Sequence, residues 1–199
     1  AADPESASGA MMSTLGLIGG LPSAVGMVIA WPLANKLGKQ RAIVIGLIFS
    51  VLGGAVAFMG VHNFKMVCAG VVLKAVGIIP SQYVMLAVLS DVLDHLEAKN
   101  GFRSDGFTMS IYGSIMVGLL GLAVGIVSGL LGVTGYDATL VKQPVAAENV
   151  LIFVYLGMDI LTFIVSIFLL WRMDVEKYAE EDQQKIRENQ EKGTLENAQ

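Results

Sequence analysis

The sequence predicts an all-α membrane protein with five transmembrane helices, and three observations predict it. Of 199 residues, 54% are hydrophobic and only 15% charged, with a mean hydropathy of +0.66. A soluble domain carries about 25% charged residues. Five apolar stretches, 11–34, 42–61, 66–90, 107–133 and 150–171, are long enough to cross a hydrocarbon core of ~30 Å at ~1.5 Å per residue. The basic residues fall almost wholly on one side of these stretches.

That third observation sets the orientation, because Lys and Arg near the ends of spans stay in the cytoplasm. Lys36, Lys39, Arg41, Lys99, Arg103, Arg172, Lys177, Lys185, Arg187 and Lys192 share one side, and Lys65 and Lys142 the other. The first span therefore starts outside and the C-terminus ends inside. Residues 1–10 are expected to be extracytoplasmic, 11–171 to form the transmembrane bundle, and 172–199 to form a cytoplasmic tail of a multi-pass protein of the inner (plasma) membrane. The opening AADPESASGA has no basic region ahead of a short apolar core, so no signal peptide is expected. The formal charge of -4 arises largely in the tail and points to no nucleic-acid partner; the expected surroundings are membrane lipids. A lone cysteine, Cys68, excludes an internal disulfide and reads as a small packing residue. No Cys/His cluster suggests a metal, and no cofactor is expected.

The first span holds Pro22, tolerated in membrane helices where neighbours satisfy the freed carbonyl, and ends near Trp31, an interfacial anchor. The basic loop with Lys36, Gly38, Lys39 and Arg41 leads into the second. The third carries Lys74, Pro80, and the polar Gln82 and Tyr83. On the fourth, Tyr112 and Ser114 are polar, and Gly121, Gly125 and Gly129 form a four-residue stripe that predicts close helix packing. The fifth carries Asp159 and ends at Trp171. Beyond it, Glu181 with Lys185 and Glu188 with Lys192 are spaced i,i+4, which predicts a solvated helix fraying after Gly193.

Lys74 and Asp159 are the only charges within the spans. Each lies nine residues beyond the outer end of an inward-running helix, so both sit ~13 Å below the outer surface. Opposite signs at one depth predict an intramembrane ion pair, since a lone charge there costs ~2.5–3.5 kcal/mol even on insertion scales.

The segment SDVLDHLEAKNGFRSDG, residues 90–106, is the densest polar stretch between spans. If the third span runs on into the cytoplasm, Asp91, Asp94 and Glu97 share one helical face. Carboxylates at a helix C-terminus oppose its dipole by up to ~1 kcal/mol each, so basic groups should compensate them. Lys36, Lys39, Arg41 and Arg103 are the candidates. Gly101 permits a reversal with positive φ, and Gly106 permits the fourth span to start close against a neighbour.

The string Asp91-x-x-Asp94-x-x-Glu97-x-x-x-Gly101-x-Arg103-x-x-Gly106 resembles the signature between helices ten and eleven of the glycoside-pentoside-hexuronide cation symporters, the melibiose-permease group of the major facilitator superfamily. Trp31-Pro32-Leu33-Ala34-Asn35-Lys36-Leu37-Gly38-Lys39-Gln40-Arg41 resembles the basic loop between helices eight and nine of the same group. The resemblance implies that the spans correspond to helices eight to twelve of a twelve-helix fold. It implies cation-coupled symport of a glycoside or other sugar by alternating access, with the acids and the basic loop forming a cytoplasmic gate. It places the coupling ion, Na⁺ or H⁺, and much of the sugar site on N-terminal helices that would be this chain's partners. Substrate-facing candidates are Lys74, Gln82, Tyr83, Tyr112 and Ser114. The run 110–117 lacks the lysine that some members carry on helix eleven; Val117 falls near that place.

Two other readings belong to different classes. A five-helix accessory membrane subunit without transport activity fits the same spans. A membrane-embedded transferase holding Mg²⁺ on Asp91 and Asp94 fits the acidic pair alone, but Asp94 is followed by His95-Leu96-Glu97 rather than the Gly and Ala-Arg of alcohol phosphatidyltransferases.

Overall fold

The computed structural model describes residues 4–102, 104–140 and 142–196, and is helical throughout with no strand among them. The elements are α1 (Pro4–Leu37), α2 (Lys39–Met59), α3 (Phe64–Asn100), α4 (Asp105–Val133), α5 (Val145–Ile152), a π-helical turn at Phe153–Gly157, α6 (Met158–Arg172), a short 3₁₀ turn at Val175–Lys177, and α7 (Ala179–Glu196). Among the described residues four helical runs are long and apolar enough to cross a membrane: Lys39–Met59, Phe64–Asn100, Asp105–Val133 and Val145–Arg172. The stretch 11–34 is helical within α1 but is not one of those four.

Backbone chemistry explains the breaks. Gly38 has φ +90°, outside the range an L side chain adopts readily, and separates α1 from α2. Asn63 caps α3, its side chain accepting from the Lys65 N–H at 3.1 Å. Gly101 closes α3 in the left-handed conformation (φ +76°), donating its N–H to the Glu97 carbonyl. The third helix therefore runs ten residues past the expected end at Ser90 and carries the whole acidic face. The helix expected from Val150 starts at Val145 and includes the π turn.

The core forms where α2 packs between α3 and α6, with α1 against α3. Ala30 and Ala34 of α1, Ala42, Ile43 and Leu47 of α2, Ile79, Val84 and Val88 of α3, and Phe163 and Leu170 of α6 are buried together. Glycine makes the α2–α3 contact possible. A Cβ on Gly46 would lie 2.4 Å from the Gly77 carbonyl oxygen, and one on Gly70 would lie 2.6 Å from the Ala57 nitrogen. Neither contact is possible for alanine without moving a backbone.

The close packing expected at Gly121, Gly125 and Gly129 is not found here. A Cβ at any of them would meet nothing within 4 Å, and the same holds for Gly106. No residue of α4 is buried among those described; its main contact is with α5. The glycines that meet a neighbouring helix's backbone lie on α2 and α3 instead, Gly46 with Gly53 and Gly70 with Gly77, seven residues apart on each helix. The tail also departs from expectation. Rather than a free solvated helix fraying after Gly193, α7 continues to Glu196 and packs on the extension of α3.

Candidate functional site

At the end of the bundle that carries the basic loop, Lys39 Nζ lies 2.8 Å from both carboxylate oxygens of Asp91. Asp91 is buried (5% exposed), so the ammonium supplies compensation that water does not. Because α3 continues to Asn100, Asp91 lies more than two turns from the helix end, and what the cation offsets is the burial of the carboxylate rather than the helix dipole.

Glu176, between α6 and α7, completes this corner. Its carboxylate accepts the backbone N–H of Lys39 at 2.5 Å and of Gln40 at 3.0 Å, supplying from afar the cap that Gly38 lacks. The Gln40 amide in turn donates to the carbonyls of Leu170 and, at 2.7 Å, Met173 at the end of α6. Thus the start of α2 and the end of α6 cap each other.

One turn beyond Asp91, His95 Nδ1 lies 2.7 Å from Asp182 Oδ2, with the Tyr178 ring 5.7 Å from the imidazole. Asp182 is buried, fixing α7 on α3. Asp94 lines a shallow groove with Gln183, Ile186 and Arg187. Further out on α7, Lys185 lies 2.7 Å from Glu181 at the expected i,i+4 spacing, and that hydrogen bond raises the lysine pKa above its ordinary value.

Among the described residues, Lys39 is the predicted basic partner seen to meet an acid of the face, Asp91. Lys36 is exposed, Arg41 points toward the end of α6, and Arg103 lies outside the described residues. With both its oxygens on Lys39, Asp91 is committed to a cation already present, and no cluster of three metal-ligating acids, histidines or cysteines occurs among the described residues.

In the middle of the bundle, Lys74 Nζ lies 2.5 Å from Asp159 Oδ2 and 4.8 Å from the centre of the Tyr155 ring. The two charges predicted at one depth meet. The lysine reaches across α2, which is thin at Gly53 and Gly54: a Cβ on the first would lie 2.4 Å from the Lys74 nitrogen, and on the second 2.8 Å from the Ile160 side chain. Tyr155 belongs to the π turn, whose extra residue shifts the register of the helix just before Asp159. Both the ring and the glycine pair were missed in the sequence reading.

The polar candidates for substrate are not gathered within this chain. Gln82 and Tyr83 lie on α3, Tyr112 and Ser114 on α4, and all four are exposed on helices without a substantial mutual contact.

The chain thus presents long apolar helices, an ion pair between two of them and a charged corner at one end. A family model described as MFS/sugar transport protein matches residues 5–177. The chain belongs to this sugar-transport family. It is also similar to the uncharacterized symporter YjmB of Bacillus subtilis (strain 168), 26% identical over 161 residues that cover 79% of this chain and 35% of that protein. The chain thus spans about a third of the length of the curated relative it matches. The ion pairs above are therefore those of a sugar-transport family member.

Proposed function

We propose that this chain is the C-terminal bundle of a cation-coupled symporter of a glycoside or related sugar, working by alternating access. In this reading α1 is a fifth span, the basic end is cytoplasmic, and the remaining helices of the carrier supply most of the cation site. The carrying observation is the contact between the two family-like motifs, Lys39 of the basic loop to Asp91 of the acidic string at 2.8 Å. Support also comes from the family match and from the symporter similarity.

Within this reading the gate residues divide into two groups. Lys39 and Asp91 belong to one bundle, so their pair holds the acidic face in place rather than closing a gap between bundles. Asp94 and Glu97, further along α3, are the groups we assign to contacts that form with the other bundle when the carrier faces outward and break when it faces inward. An exposed pair contributes ~0–1 kcal/mol, enough to bias a near-balanced rocking equilibrium but not to lock it. Gln82 and Tyr83 on α3, and Tyr112 with Ser114 on α4, are the proposed sugar-facing groups, approached from the side the other bundle occupies, whereas Lys74, expected among them, is spent on Asp159.

The test is uptake of labelled glycosides by the complete carrier in proteoliposomes, under a Na⁺ gradient at equal pH and under a pH gradient without Na⁺. Accumulation above equilibrium under one gradient, abolished by an ionophore for that ion, is expected. Equilibration without accumulation under both would overturn the symport reading. Asp94→Asn with Glu97→Gln should then raise cysteine accessibility from the cytoplasmic side; unchanged accessibility would remove the gate assignment.

A further inference from the structure

A cleft of about 530 Å³ opens at the basic end, between the start of α2 and the end of α6. Its lining combines apolar Leu37, Val44, Met173 and Trp171 with the cations Arg41 and Lys177 and the acids Asp174 and Glu176. Ile45 and Trp171 are 40% and 76% exposed, and from them the uncovered side chains Phe49 and Leu52 of α2, and Phe168 and Val165 of α6, continue along the spans. The cleft therefore joins a charged lining to two apolar strips at a membrane face.

The charges of the cleft are unequally committed. Glu176 gives both oxygens to the N–H groups of Lys39 and Gln40, and Asp174 accepts from Lys177. Among the described residues no acid pairs with Arg41. The hydrogen bond to Asp174 raises the Lys177 pKa, and Arg41 is near enough to oppose that rise. Asp174 already offsets Lys177, so Arg41 is the cation of the cleft for which the described residues supply no acid, and an anion beside it gains that attraction. Guanidinium is suited to this because its fork matches two phosphate oxygens, and a lysine ammonium retains donors beyond the one it spends.

We propose that this cleft binds the phosphodiester of an anionic phospholipid in the leaflet on the basic side, with Arg41 as its anchor and Lys177 as the second cation. Trp171 lies where an amphipathic ring meets the headgroup region, and the acyl chains follow the exposed strips of α2 and α6. A soluble phosphate has no use for those strips. The proposal depends on these helices lying in a membrane and not on what the carrier transports.

The experiment is native mass spectrometry of the detergent-solubilised protein, titrated with dioleoyl-phosphatidylglycerol or dioleoyl-phosphatidylcholine. Wild type should retain the anionic lipid about tenfold better, the scale of one charge-assisted bidentate contact. Arg41→Gln should bring the two lipids to within about twofold, whereas Arg41→Lys keeps at least about a third of the preference and Lys142→Gln keeps all of it. Equal retention of both lipids by wild type, or an undiminished preference in Arg41→Gln, would overturn the proposal. Displacement of bound phosphatidylglycerol by millimolar inorganic phosphate would do so too, by showing a site for a free anion.

Discussion

Gly53 of α2 meets the backbone of Lys74 of α3 so closely that a Cβ on the glycine would lie 2.4 Å from the lysine nitrogen and 2.7 Å from the Gly70 carbonyl oxygen. The neighbouring Ser50 Oγ donates to the Lys74 carbonyl at 3.0 Å. Lys74 is thereby pressed against one side of α2 while its ammonium reaches Asp159 on the other.

Gly53→Ala should therefore lower stability by about 1–3 kcal/mol, the range for overpacking, because the obstructing atoms are backbone. Gly121→Ala, where nothing stands within 4 Å, should leave the isolated chain unchanged or stabilise it by up to about 1 kcal/mol through helix propensity. Thermal unfolding of the two variants in the same detergent checks the contrast, and equal losses would argue against the α2–α3 contact.

The Lys74–Asp159 pair leads to a double-mutant cycle. Lys74→Met and Asp159→Leu should each strand a charge within the bundle, while the double variant relieves it. The expected coupling is about 1–3 kcal/mol, reduced toward the lower end because the Asp159 side chain is 43% exposed. Folded yield and melting temperature of the four proteins measure it; strictly additive losses would mean that the charges act independently.

Glu176 yields a third expectation. Glu176→Ala removes the acceptor for two N–H groups at the start of α2 and should cost about 1–2 kcal/mol, as lost caps do. Glu176→Gln retains an acceptor oxygen and should cost less. Amide hydrogen exchange of residues 39–42 should accelerate in the alanine variant first, before that of the α2 interior.

For the tail, Asp182→Asn should weaken the hold of His95 on α7. Limited proteolysis within α7 should then quicken severalfold, whereas Glu181→Gln, which touches only the exposed i,i+4 pair with Lys185, should leave it nearly unchanged. Equal protection in both variants would show that other contacts fix the tail.

Features set by local chemistry were legible in the sequence. The apolar runs marked the helices, Gly101 marked the reversal, and the opposite charges of Lys74 and Asp159 at equal depth marked their pair. Contacts that depend on which helices are neighbours were not. Nothing in the string around Glu176 says that it caps α2 from 136 residues away, and His95 was read only as a member of an acidic string although it holds Asp182. The glycine stripe misled for the same reason. Gly-x-x-x-Gly marks a face able to pack closely without saying which helix comes to it, and the seven-residue spacing of Gly46 with Gly53 and of Gly70 with Gly77 was the signal that went unread.

The length of α3 gives these sites a common mechanical frame. At 37 residues it is a rod of about 55 Å, with Lys74 in its first third, Asp91 in its last third, and His95 against the tail. Pro80 interrupts the rod between Lys74 and the other two, removing one backbone hydrogen bond and leaving a point where bending is cheapest. A few degrees of flexure there swings His95, about 22 Å further along, by an ångström or more. Any flexure at Pro80 therefore changes the spacing between the Lys74 ion pair and the contact that holds the tail.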